Sequence, residues 1–112
     1  MLVYKILRAA EWADLEAAGT IAGSPADVAD GFVHLSTAAQ VAGTLARHFA
    51  GETHLVILAL DADVAADAIR WEPSRGGARF PHLYRPLGLA DVLWSRPIAD
   101  GPDGPVAPAG LA

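Results

Sequence analysis

Residues 55–60, Leu-Val-Ile-Leu-Ala-Leu, are apolar at six consecutive positions. A strand with one wet face alternates, and this run does not, so it reads as a central strand covered on both sides. Six residues are also far too few to span a bilayer. The whole chain has 112 residues, which is one domain's worth of polypeptide, long enough to bury a real core without covalent staples.

The other segments sort around that strand. Residues 2–7 alternate as a first strand, with Leu2, Tyr4 and Ile6 on one face and Val3, Lys5 and Leu7 on the other. Residues 8–19 read as a short helix with Trp12 and Leu15 on one stripe and Gly19 past its end. Residues 20–31, rich in turn formers, read as a loop, and residues 30–37 as a second strand. Thr37 and Gln40 have capping-box spacing ahead of a helix whose buried stripe is Val41, Leu45 and Phe49. Beyond the central strand, a turn of helix precedes an extended Ile69–Glu72. Residues 80–87 are extended around two prolines, and a last strand is centred on Val92–Trp94. These segments make residues 1–98 a single α+β domain, with a small mixed or antiparallel sheet and two main helices rather than a doubly wound sheet. Residues 99–112 form a Pro/Gly/Ala-rich tail, expected to be frayed or draped.

Composition removes several functions. There is no cysteine, so disulfides, thiolate catalysis and cysteine-based zinc sites are excluded. The net charge is −5, which disfavours duplex nucleic acid as a partner. No signal-like segment opens the chain, so a cytoplasmic protein is expected, without a membrane partner.

The chemistry concentrates in residues 30–37, Asp-Gly-Phe-Val-His-Leu-Ser-Thr. Strand alternation puts Phe32, His34 and Ser36 on one face and Val33 and Leu35 on the other. A helix start follows, with free N–H groups and partial positive charge. Residues 80–84, Phe-Pro-His-Leu-Tyr, echo the pattern, with Phe80, His82 and Tyr84 on one face. If the two segments face each other, they line a cleft with two imidazoles and two hydroxyls. Arg75, Arg79 and Arg85 flank the second segment, and arginine binds phosphate or carboxylate through paired hydrogen bonds. The plainer readings are a hydrogen-bonded core histidine, a capping serine and a solvated arginine face. His48 and His54 read as surface residues. No HxH or HxxxH spacing marks a metal site, although His34, His82 and Glu72 are the residues that one would draw on. No glycine-flanked serine elbow and no GxGxxG fingerprint are present.

The segments VYKIL, DGFVHLST, THLVILALD, WEP, FPHLY and ADVL together resemble the bacterial family called domain of unknown function 952, from about Val3 to about Trp94. More distantly, HLST leading through a helix to HLVILALD is similar to RNA 2′-phosphotransferases, which have the ADP-ribosyltransferase fold and use NAD. That likeness implies an ADP-ribosyltransferase-like fold and NAD as cofactor. It places the second motif of the fold on His34 and Ser36 and the first loosely on Tyr4 and Lys5. The third falls near His82 and Tyr84, with Glu72 the nearest candidate for the usual glutamate. The chain lacks the His-Gly-Thr or Arg-Gly-Thr that transferases carry in the first motif.

Three functions follow as expectations. The first is an NAD-utilising transferase or glycohydrolase. In it His34, His82 and Glu72 act as catalytic groups, and Tyr4, Ser36, Tyr84, Arg79 and Arg85 hold the nucleotide. The second is a nucleotide or metabolite sensor with no turnover. The third is a structural or interaction protein whose histidines serve the core.

Overall fold

The apolar run is the middle strand of a three-stranded antiparallel sheet. The computed structural model describes residues 1–112, except the side chain of Arg75. Along the chain lie β1 (Leu2–Arg8), α1 (Ala9–Ala18), β2 (Thr20–Ile21), α2 (Pro25–Asp30) and β3 (Val33–His34). A short 3₁₀ turn leads into α3 (Val41–His48), followed by β4 (Leu55–Asp61), β5 (Ile69–Pro73), β6 (Arg79–Leu83) and β7 (Leu87–Gly88). The chain closes with β8 (Trp94–Pro97), β9 (Ala99–Gly101) and β10 (Gly104–Val106).

Every described strand pairing is antiparallel. The first sheet has the order β1-β4-β8 and the second β3-β6-β5, with β2-β7 and β9-β10 as two-stranded ribbons. One isolated bridge, Tyr4 to Ser36, ties β1 to the segment after β3, with N–H···O distances of 2.8 and 2.9 Å. That bridge carries the second sheet on the edge of the first.

The all-apolar β4 is covered on both faces, as its pattern requires. On one side Val3, Leu7, Leu58 and Leu60 pack with Leu15 of α1 and with Val33, Leu35 and Leu83 of the second sheet. On the other, Tyr4, Ile6, Ile57 and Ala59 pack with Val41 and Leu45 of α3 and with Phe49. Gly19 ends α1 at φ 80°, a left-handed conformation that suits glycine. The Gln40 side chain accepts from the Thr37 N–H at 3.0 Å, half of the expected capping box.

The structure departs from the sequence reading at several segments, among them residues 20–21, which form β2 inside an expected loop, and residues 30–37, of which only Val33–His34 are regular strand. Residues 25–30 form a helix where a loop was expected. The local signals are all there: Ser24 caps it, Pro25 sits at its first position, Asp27 at its third, and Gly31 stops it at φ 83°. The last strand of the main sheet starts at Trp94, two residues later than Val92, because residues 89–91 form a 3₁₀ turn held by the Asp91 carboxylate on the Gly88 N–H at 2.9 Å. The tail is a β9–β10 hairpin, and Ala107 and Leu111 beyond it pack on the α3 side of the core. Its terminal Ala112 carbonyl accepts a hydrogen bond from the Tyr4 hydroxyl at 3.1 Å.

Leu58 is fully buried in the centre of β4. Leu58→Ala is expected to lower stability by about 2–5 kcal/mol, read as a reduced midpoint in urea unfolding with an unchanged m value.

Candidate functional site

The two echoing segments meet. β3 and β6 are paired so that His34 stands directly opposite His82 and Val33 opposite Leu83. Alternation then sends Val33 and Leu83 into the core and both imidazoles to the other face. The rings lie 5.5 Å apart, edge to face. Phe32 backs both, 4.6 Å from His34 and 4.1 Å from His82, where it stacks.

Each imidazole is held at Nδ1 by a carboxylate. Nδ1 of His34 lies 2.6 Å from Oδ1 of Asp27 on α2, and Nδ1 of His82 lies 2.7 Å from Oε1 of Glu72 on β5. Such a bond fixes both the orientation and the tautomer of the ring, leaving Nε2 as the reactive nitrogen. Nε2 of His34 has a second carboxylate, Asp30, at 3.0 Å.

Asp27 is the hub. It is 2% exposed and its two oxygens accept from four donors: the His34 ring, the His34 N–H at 2.9 Å, the Ser24 N–H at 2.8 Å and Lys5 Nζ at 2.7 Å. Lys5 is 4% exposed and donates also to the His34 carbonyl at 3.1 Å. Burial pushes the Asp27 carboxyl up. The His34 hydrogen bond and the charge of Lys5 more than offset this and hold it well below the usual carboxylate range. On the other histidine, hydrogen bonds from Tyr84 and then His82 hold Glu72 below its ordinary value. The same bond, 2.6 Å long, raises the Tyr84 hydroxyl.

In front of the histidines lies a cleft of about 480 Å³. His34, Ser36 and His82 line it, as does Tyr4, whose ring is almost wholly buried. Ser36 is also buried, with its hydroxyl 2.8 Å from that of Thr44 on α3. Phe80 and Arg8 add an aromatic wall and a cation, the latter paired with Glu52 at 2.7 Å. His48, expected at the surface, is exposed at the end of α3 and also borders the cleft.

The remaining residues singled out in the sequence stand elsewhere. Glu72 does not line the cleft; it supports His82 and Tyr84 from behind. Tyr84 and Arg85 line a separate hollow of about 280 Å³, where Arg85 is bound at both terminal nitrogens by Asp91. Arg79 donates to the Trp71 carbonyl at 3.2 Å, outside the cleft lining. Arg75 lies outside the described side chains. Among the described residues no three His, Cys, Asp or Glu side chains are grouped to hold a metal ion. Sequence reasoning passed over Asp27 and Asp30, because it took their segment as a loop. The Ser-Pro-Ala-Asp motif at 24–27 is the signal that could have found Asp27.

The model of the family described as Protein of unknown function (DUF952) matches residues 6–95. None of the curated proteins matches the chain. The crystal structure of protein CC0527 from Caulobacter crescentus is similar at 47% identity and a TM-score of 0.91, covering 95% of this chain and 94% of that one. The solution NMR structure of CC0527 matches at a TM-score of 0.82, over 93% and 90% of the two chains.

The depressed Asp27 pKa makes stability depend on pH in one direction. The unfolded carboxyl titrates near 3.9, so this stabilisation is complete above that value and is lost as pH falls below it, toward the folded pKa. Asp27→Asn is expected to cost about 3–5 kcal/mol at neutral pH, since it leaves Lys5 buried without its counter-charge. Its penalty should shrink as pH is lowered, as measured by urea unfolding across the acid range.

Proposed function

Because the chain belongs to the DUF952 family of proteins of unknown function, its role has to be read from its own cleft, and we propose that this cleft binds NAD or a related nucleotide. The pairing of His34 with His82 in one wall of a 480 Å³ cavity carries the reading. Cavities of a few hundred cubic ångströms that combine an apolar wall with a few convergent polar groups suit small ligands. In this reading His34 and His82, which line the cleft, hydrogen-bond a ribose hydroxyl or a phosphate oxygen, and Phe80 offers a flat apolar face to a base. The order of elements supports an ADP-ribosyltransferase-like fold: His34 and Ser36 lead through α3 to the buried β4. In this reading Tyr84, Arg79 and Arg85 act outside the ligand's immediate shell, and Ser36 supports the wall through Thr44.

One observation favours binding of NAD without its cleavage. Glycosidic cleavage calls for a carboxylate facing the sugar. The carboxylates that line the cleft are Glu11, Asp27 and Asp30; Glu11 is paired with Arg8, Asp27 with Lys5 and His34, and the exposed Asp30 lies in ion-pair contact with His34. Glu72 stands behind His82.

Thermal unfolding with NAD, ADP-ribose, AMP or nicotinamide tests the reading. A ligand at a hundred times its Kd should stabilise the fold by about 2.7 kcal/mol. His34→Asn and His82→Asn should abolish the shift. A stability loss in both variants, with no nucleotide shifting the parent protein, would return the histidines to a purely structural role. Nicotinamide release followed by chromatography separates an enzyme from a binding module, and no release is expected.

A further inference from the structure

The two histidines are not equivalent, and the difference assigns them opposite tasks. Carboxylates only accept hydrogen bonds. His34 has a carboxylate oxygen at each ring nitrogen, Asp27 at 2.6 Å and Asp30 at 3.0 Å. Nδ1 is hydrogen-bonded to Asp27 and Nε2 makes an ion-pair contact with Asp30, a setting that suits the acid of a pair. His82 has Glu72 at Nδ1 alone, and among the described residues no hydrogen bond reaches its Nε2. With Nδ1 turned to Glu72, Nε2 is the nitrogen that it presents to the cleft it lines. The two rings stand 5.5 Å apart on paired strands, backed by the same Phe32 ring.

We propose that this pair hydrolyses a nucleoside 2′,3′-cyclic phosphate, with His82 as base and His34 as acid; the inference rests on the nucleotide-cleft reading. The chemistry balances without a further reactant. Nε2 of His82 takes a proton from water as its oxygen forms a new bond to phosphorus. One of the two ring P–O bonds breaks, and the leaving ribose oxygen takes the Nε2 proton of His34, displacing Asp30. The product is a nucleoside monophosphate, and proton exchange with solvent resets both rings. A cyclic diester carries a single negative charge, and its leaving group stays tethered to the ribose. Asp30 is more than half exposed, so a ligand can displace it from His34. Asp27 and Glu72 are positioning residues in this scheme, since they act through the rings.

The groups facing each ring set the pH dependence. His34 faces Asp27 and Asp30 of α2, with Lys5 of β1 at its carbonyl and His82 of β6 beside it. His82 faces Glu72 of β5, His34 of β3, and Tyr84 through the shared Glu72, with Arg70 over the Tyr84 ring.

The test incubates the full chain with the four 2′,3′-cyclic nucleotides, with and without EDTA, and follows the monophosphate by chromatography. Turnover with a bell-shaped pH profile is expected. His82→Asn and His34→Asn should each lower kcat by about 10²–10⁴-fold, the usual contribution of a general acid or base. Asp30→Asn, on the exposed side, guards against unfolding of those variants. It removes the carboxylate beside Nε2 of His34, so in this scheme the alkaline limb should move to lower pH. Thermal stabilisation by the product monophosphates is measured in parallel. Stabilisation without turnover overturns this inference and leaves the nucleotide cleft standing. No stabilisation and no turnover overturns both. Turnover that is abolished by EDTA, unchanged in His82→Asn, or unshifted in Asp30→Asn overturns the acid–base assignment.

Discussion

The buried contact between Lys5 and Asp27 is the interaction on which the rest of the site depends. Lys5 sits in the middle of β1, among side chains that are otherwise apolar on its face. A lone ammonium there would be costly to bury, and so would a lone carboxylate. Each is tolerated because the other is 2.7 Å away and because the remaining lone pairs of Asp27 are taken by Ser24 and His34. One carboxylate thereby joins β1, the start of α2 and β3. The short helix α2 carries both carboxylates that face His34, Asp27 and Asp30.

On that anchor the site is assembled by strand register. A slip of one residue by β3 along β6 would turn His34 into the core and bring Val33 out beside His82. The burial of Val33 and Leu83 against Leu7 and Leu58 prevents the slip. The hydrophobic core therefore sets the positions of the polar groups: the inward face fixes the outward one. The second row of support, Glu72 with Tyr84, comes from β5 through the same sheet. The imidazoles are thus mounted on strands with their rotamers locked from behind, an arrangement suited to precise contact with a ligand.

Several features were legible from residues alone for local reasons. The central strand, the first strand, the Val41–Leu45–Phe49 stripe and the Gly19 stop all follow from periodicity or backbone conformation within a few positions. The partition of Phe32, His34 and Ser36 from Val33 and Leu35 was likewise available from alternation, although only Val33–His34 are paired as a regular strand. The helix of residues 25–30 was missed because the flanking glycines and the proline at its first position outweighed a valid capping motif. Missing it hid Asp27 and Asp30, two acidic residues that look like ordinary turn formers until a helix aims them at His34. The arginines were singled out for their charge. Where Arg79 and Arg85 turn is set by the Trp71 carbonyl and by Asp91, neither of which a charge count predicts.

By itself, then, the sequence determined an α+β chain built on a doubly covered strand, membership of the DUF952 family, and the face of each strand on which its histidine stands. These are properties of spacing, and spacing is written along one dimension. Only the tertiary structure decided that His34 meets His82, that Glu72 supports a ring instead of facing the cleft, and that Lys5 is neutralised by Asp27. Each of those contacts joins residues separated along the chain. Which partner a buried charge or a ring nitrogen finds depends on the core packing that brings the strands together, so it has no signature at any single position.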